Sequence, residues 1–513
     1  MTVLDLLIVV GYLVGIVAFG AYFARHQRTT KDYFLGNRRI PWWAIAASIV
    51  ATETSTITFI SVPGTAFARG GNFAFLQLVL GYLVGRVVIS LLFIPMYFRG
   101  ELLTVYQLLQ QRFGGGPKSL AAGLFVIMRN IADGVRLLLT GIVLAAVISA
   151  FAPGFDTTTA VVASVVLIGV AMIVFTYFGG MEAVIWVEVV QLGIYLVGAL
   201  AAAVVIASRI EGGFGAAMDL GAQFEKFRVF DFSFDLTKTY TFWAGLVGGT
   251  FLNMSTHGTD QYLVQRYLCT DTPRKASTAL LTSGLVVLAQ FVGFLFMGLL
   301  LFAFYQPFAA ADYATGAAAA PFERTDQVFP AFITQELPTG LAGLVVAAIF
   351  AAALSSSLNS IAATTVNDLY RPFAKDLSDR HLLRVSRVLT LAWGIVQILV
   401  GLGFYFFTER SALDIALSVA SLFNGPVLGL FLIGTFVKRA GSRAAMIGAL
   451  VGCAVMGSVF VAEQLNGTDV LLAWTWYAFL GSLTTLAAGT LAAMVFPNRG
   501  PEGRMEAPPE DAR

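Results

Sequence analysis

The residues of this chain able to do chemistry lie inside its most apolar stretches. Thr52, Glu53, Thr54, Ser55, Thr56 and Thr58 interrupt an apolar run that begins WWAIAASIVA. Asn253, Ser255, Thr256, His257, Gly258, Thr259, Asp260 and Gln261 interrupt another that begins FWAGLVGGTFL. Glu188 stands in GGMEAVIWVEVVQ, and Ser355, Ser356, Ser357, Asn359 and Ser360 follow Ala351, Ala352 and Ala353. A charge at the bilayer centre costs about 2.5 to 3.5 kcal/mol on insertion scales, so each acid placed there needs a partner or a task. Neither Glu53 nor Glu188 has a basic residue at helical spacing, which makes each a candidate to bind a cation or carry a proton. The plainer alternative for both is a protonated, hydrogen-bonded acid joining two helices. Arg129, Asp133 and Arg136 share one helix face and are expected to pair with each other. Arg86 and Arg266 are expected to snorkel or hold a loop.

The surrounding elements follow from composition. Of 513 residues, 58% are hydrophobic and 12% charged, about half the charge of an ordinary soluble domain. A bilayer core takes about 20 apolar residues per helix, and such stretches recur thirteen times. Continuous apolar runs point to helices, because barrel strands alternate and read far more weakly. The expected fold class is therefore an all-α membrane protein with thirteen transmembrane helices. The first stretch, from Val3, lacks a basic leader and a small-residue cleavage site and is expected to remain as a span.

Charge placement sets the expected orientation. With Met1 outside, thirteen spans put Arg25, Arg28, Lys31, Arg38 and Arg39 in the first inner loop and Arg371, Lys375, Arg380, Arg384 and Arg387 in a later one. Outer connections then hold only Arg69, Arg209, Lys226, Arg228, Lys238, Arg324 and Arg410. This bias predicts the N-terminus outside and the C-terminus in the cytoplasm. A net charge of +2 gives no reason to expect a nucleic-acid partner. Cys269 and Cys453 are too few for a metal cluster, and His26, His257 and His381 lack metal-ligand spacing. No cofactor and no enzyme activity are expected. With no soluble domain in view, function must sit within or between the helices.

The two interrupted runs lie about two hundred residues apart, each heading five helices. Mid-membrane helix breaks at corresponding places in two halves point to an inverted-repeat transporter, since unwound backbone is tolerated only where it lines a cavity. The rival reading is that these polar residues merely join helices.

With these features in place, the chain resembles the solute:sodium symporter family, the relatives of the sodium/glucose cotransporters. The resemblance runs over roughly residues 3 to 495 and rests on ATETSTITFISVPG at 51 to 64, GGMEAVIWVEVVQ at 179 to 191, THGTDQYLVQRYL at 256 to 268, LSSSLNSIAATTVNDLYRPF at 354 to 373 and NGPVLGLFLIG at 424 to 434. It implies a LeuT-like arrangement of inverted five-helix repeats. The expected units are a leading helix with its inner loop (1–40), the first repeat (41–207), an outer loop (208–239), the second repeat (240–436), two trailing helices (437–496) and a disordered cytoplasmic tail (497–513).

The resemblance also assigns sites. The family's main sodium site uses backbone carbonyls that match Ala51 and Thr54, with a carbonyl and two adjacent hydroxyls from the ninth span. Counted back from Asp368, the hydroxyl pair falls on Ala352 and Ala353. That departure leaves protons as the alternative coupling ion, with Ala352 kept among the ion-binding positions. A second sodium site found in some relatives matches Ser355, Ser356 and Glu188. Solute contacts match Thr58, Gln77, Asn253, Thr256 and His257, with Glu53 lining the same region. The implied activity is alternating-access symport of a small polar organic solute, such as a sugar or organic acid, with sodium. A sodium-independent transporter or a solute sensor without net transport is the alternative. The expected setting is the inner cell membrane, as a monomer whose partners are solute and lipid.

Overall fold

The computed structural model describes residues 2–23, 28–151, 154, 156–309, 322, 325–354, 357–374, 378–407, 412–465 and 470–498. Among these, every regular element is helical, apart from one isolated bridge between Ala440 and Pro497. Helix α1 (Val3–Phe23) leads, and α2 (Thr30–Leu35) follows as a short helix closed by a capping box between Thr29 and Asp32. Helices α3 (Trp42–Glu53) and α4 (Thr56–Phe67) are two halves of one interrupted element. Next come α5 (Leu76–Leu92), the short α6 (Ile94–Tyr97) and α7 (Gln107–Phe113), and the long α8 (Gly115–Phe151) and α9 (Thr157–Arg209). The connection over 208–239, expected to be an outer loop, contains α10 (Gly213–Gln223). Helices α11 (Gly249–Gly258) and α12 (Gln261–Leu268) form the second interrupted element, entered through a π-helical turn at Ala244–Gly248.

The chain continues through α13 (Pro273–Tyr305), α14 (Val328–Gln335), α15 (Leu341–Leu354) and α16 (Leu358–Thr364). Helices α17 (Asp379–Phe407), α18 (Ala412–Phe436), α19 (Ser442–Leu465) and α20 (Tyr477–Val495) complete it. Eight helical segments among the described residues are long and apolar enough to cross a membrane. Their outward faces carry exposed Leu91, Leu167, Leu200, Leu399 and Met494, an arrangement that water penalises and hydrocarbon does not.

One of these segments cannot be a single rod. The 53 residues of α9 would extend about 80 Å if straight. The chain turns instead at Gly180, which adopts φ 60° and ψ −165°, a region open in practice to glycine alone. The first interrupted element sits against α9 and α13, with α3 packed on both and α4 on α13.

The connection that holds α10 is tied to the second half of the first interrupted element. Lys226 Nζ donates to the carbonyls of Ala66 (2.9 Å), Phe67 (3.3 Å) and Ala68 (2.7 Å) at the C-terminal end of α4, over the Phe302 ring at 4.1 Å. A cation there satisfies carbonyls that the helix leaves open and meets the negative end of its dipole. Burial pushes the amine down to about 8.

The turn at Gly180 gives a direct check. Replacement by alanine is expected to cost about 1 to 3 kcal/mol through strain at positive φ, lowering the thermal unfolding midpoint of the detergent-purified protein. An unchanged midpoint would show that the turn relaxes freely.

Candidate functional site

The first break is built by hydroxyl groups. The regular ladder ends with Thr54 N donating to Val50 O at 2.9 Å, and Thr54 leaves helical geometry at φ −78° and ψ 58°. Helix α4 then starts on the side chain of Ser55, which accepts from Thr58 N at 3.3 Å. Thr52, Thr54 and Thr58 turn their hydroxyls back onto the carbonyls of Ser48 (2.8 Å), Val50 (2.7 Å) and Glu53 (2.9 Å). Hydroxyls that compete for main-chain partners in this way make an unwound stretch affordable away from water. Ala51 and Thr54, the expected carbonyl donors to an ion, are both buried at this break.

The second break has the same logic. Helix α11 ends at Gly258, and Asp260 opens α12 by accepting from Tyr262 N at 2.8 Å. Arg129 of α8 forms an ion pair with Asp260. Arg129 was expected to pair within its own helix, but Asp133 instead holds the amide of Ser357 at 2.9 Å, with Arg136 at 3.7 Å. The Tyr262 ring lies under two guanidinium groups, Arg129 at 4.7 Å and Arg266 at 4.5 Å.

The two breaks meet through side chains. Glu53 accepts from His257 Nε2 at 2.7 Å and forms an ion pair with Arg86 of α5. His257 Nδ1 lies 3.1 Å from Asn253 Nδ2 and 3.0 Å from Thr256 Oγ1. With its proton on Nε2, the ring donates to Glu53 and accepts at Nδ1, so both nitrogens are satisfied. Glu53, Asn253, Thr256 and His257 thus form one cluster, and Thr58 joins it through the carbonyl of Glu53. Gly85 permits the approach, since a Cβ there would sit 2.8 Å from that of Asn253. Gln77 is not brought into the cluster. Its amide nitrogen donates to Ala74 O and Tyr240 O, both at 3.2 Å, and its oxygen accepts from Asp231 N at 2.9 Å, which ties down the connection that leads into the second interrupted element.

Glu188 and Glu53, read from spacing as carboxylates without basic partners, both have one. Arg86 lies 33 residues from Glu53 and Arg266 lies 78 residues from Glu188, distances at which helical periodicity carries no information. The Glu188–Arg266 pair is fully buried at 2.5 Å, and Arg266 Nε also donates to Ser48 Oγ at 2.9 Å. Ser48 donates to the other oxygen of Glu188, and Thr52 reaches the carboxylate at 3.2 Å. Arg86 and Arg266 are therefore interior counter-charges and do not snorkel. Ser355 and Ser356 lie outside the described residues, as does the side chain of Ala352. Ser48, Thr52 and Arg266 were missed as a set, although the four-residue spacing of Ser48 and Thr52 marks one helix face. Among the described residues, no group of three His, Cys, Asp or Glu side chains is placed to hold a metal ion.

A family model described as the Sodium:solute symporter family matches residues 33–452. The chain belongs to this family. Its members are symporters and not enzymes, and sodium is their coupling ion. Among the relatives of this symporter, the sodium/sialic acid symporter NanT of Aliivibrio fischeri is 31% identical over 95% of this chain and 92% of its own. The human sodium-coupled monocarboxylate transporter 1 is 30% identical over 90% of this chain and 74% of its own. A solved structure of a Na+-coupled sialic acid symporter, substrate-bound and outward-open, superposes with a TM-score of 0.83 at 28% identity, over 97% of this chain and all of that one. The nucleobase-cation symporter Mhp1 shares the LeuT-like fold, with a TM-score of 0.53 at 14% identity over 90% of this chain and 93% of its own.

Breaking the buried pair tests its weight. Glu188→Gln strands the Arg266 guanidinium and is expected to cost about 3 to 5 kcal/mol, whereas joint replacement by Glu188→Gln and Arg266→Met should recover much of it. Thermal unfolding of the purified parent and the two variants reads this directly, and a single variant as stable as the parent would refute it.

Proposed function

We propose that this symporter carries a small polar organic solute, such as a sugar or organic acid, inward together with sodium, and that the solute binds where the two broken helices meet. The observation that supports this reading is the Glu53–His257 hydrogen bond, which joins the two breaks deep in the protein. Its relatives' solutes, sialic acid and monocarboxylates, fall within this class. Glu53, Thr58, Asn253, Thr256 and His257 are the proposed solute contacts, with Gln77 bracing the outer side. The proposed ion ligands are the carbonyls of Ala51, Thr54 and Ala352, the hydroxyls of Ser355 and Ser356, and Glu188.

Ion and solute each favour the same packing of the two repeats, so binding of one raises the affinity for the other by the same factor. The proposed frame is thirteen spans, with α9 counted twice about Gly180 and each interrupted pair once. The first repeat runs over 41–207 and the second over 240–436, between the leading unit 1–40 and the trailing helices 437–496. The N-terminus lies outside and the C-terminus in the cytoplasm of an inner cell membrane, and the monomer is the transporting unit.

Proton coupling is the second reading. It is favoured by the alanines at 352 and 353 and by a carboxylate and an imidazole sharing one hydrogen bond. Proteoliposomes containing the full-length protein, given a sodium gradient or a pH gradient separately, decide between them. Sodium-driven accumulation of labelled solute that persists without a pH gradient is the expected result. Glu188→Asp keeps the charge opposite Arg266 but withdraws it by one methylene, so it is expected to raise the sodium concentration for half-maximal uptake without loss of the folded protein. An unchanged sodium dependence would remove Glu188 from the ion site.

A further inference from the structure

Helix α2 begins with polar and charged residues, TKD, yet its last three, Tyr33, Phe34 and Leu35, are fully buried. Its six residues cannot hold a helix unaided, since isolated helices shorter than about 12 to 15 residues are marginal in water. Its order therefore comes from what it docks on. On one side are α9 and α17, where the Tyr33 hydroxyl donates to Thr176 O at 3.0 Å and lies 3.3 Å from Thr390 Oγ1. On the other side are α12 and α16. Gln265 Nε2 of α12 donates to Phe34 O and to Asn359 Oδ1 of α16, both at 2.7 Å, and Asn359 Nδ2 reaches Tyr33 O at 3.4 Å. Beyond α2, Ile40 N donates to Cys269 O at 3.2 Å, just past the end of α12.

This docking covers the second half of the second break. All eight residues of α12 are buried, Gln261, Gln265 and Arg266 among them. Two features make the docking releasable. Gly36, Asn37 and Arg38 follow one another at φ 52°, 53° and 58°, and left-handed backbone at residues with side chains is strain of the kind kept at switch segments. The amide joint is also incomplete, because Gln265 Oε1 accepts nothing among the described residues.

From this we infer that α2 is the latch of the cytoplasmic gate, with Gln265 and Asn359 as its positioning residues. Docked, it holds α12 against α16 and keeps the second break shut on that side. Inward release of ion and solute requires it to come away, with the left-handed run as its hinge, and an undocked α2 loses its helix as a segment that orders only on docking does. The latch rests on the symport reading and on the orientation that puts α2 in the cytoplasm. Arg266, the residue after Gln265, pairs with Glu188, so the helix that the latch holds also carries the counter-charge of a proposed ion ligand.

Cys269 is the reporter, being buried beneath this contact, with Cys453 the other cysteine of the chain. The test labels full-length protein carrying Cys453→Ala with a maleimide in detergent, over a range of sodium concentrations. Sodium is expected to slow labelling of this parent, because the ion-loaded packing awaiting solute from outside has the latch docked. Gln265→Leu and Tyr33→Phe are each expected to speed labelling about two- to tenfold, the worth of a lost hydrogen bond, and to raise the sodium concentration for half-maximal protection. Tyr33→Phe keeps the ring and guards against simple unfolding, and protection at saturating sodium in both variants separates an opened latch from an unfolded chain. Sodium protection of the parent with both variants labelling at the parent's rate would overturn the latch and leave the symport reading intact. A parent whose labelling ignores sodium would overturn the latch and count against the symport reading as well.

Discussion

A carboxylate surrounded by helices in lipid has to find a positive partner, and the rest of this molecule is arranged around two that do. Glu53 is held by Arg86 and His257, and Glu188 by Arg266. Neither pairing lies within one helix. Each draws a broken helix against a neighbour, so the charges that make the interior expensive also fix which elements sit side by side. Ser48 and Thr52 complete the second pair, and Asn253 and Thr256 orient the imidazole in the first.

Around these pairs the backbone is opened twice without exposing it to hydrocarbon. At the first break, threonine hydroxyls bond to carbonyls a turn behind them; at the second, Asp260 starts the new helix and is neutralised by Arg129. The result is main-chain polarity gathered where Glu53 and His257 join the two breaks. Lys226 carries the same principle to the C-terminal end of α4, where a single ammonium closes three carbonyls and ties the connection that holds α10 to that helix.

Much of the architecture was legible from the sequence. Apolar runs announced the helices, and the clusters around Glu53 and His257 announced the two interruptions, because polar residues in lipid have few other uses. The family resemblance drew Glu53, Asn253, Thr256 and His257 into one region, and the structure joins them there. Gln77 was grouped with them, yet its amide braces the connection at Asp231 and Tyr240. Arg86 and Arg266 were read as peripheral because periodicity sees only neighbours three or four residues away.

The amino-acid order by itself therefore determined the solvent, the helical class, the positions of the breaks and the identity of the polar groups at them. These depend on local composition and on the cost of polarity in hydrocarbon. Tertiary structure alone decided which carboxylate meets which guanidinium and that Arg86 packs its guanidinium against Gly284. Those outcomes arise from packing between segments far apart in the chain, and no spacing rule along the chain encodes them.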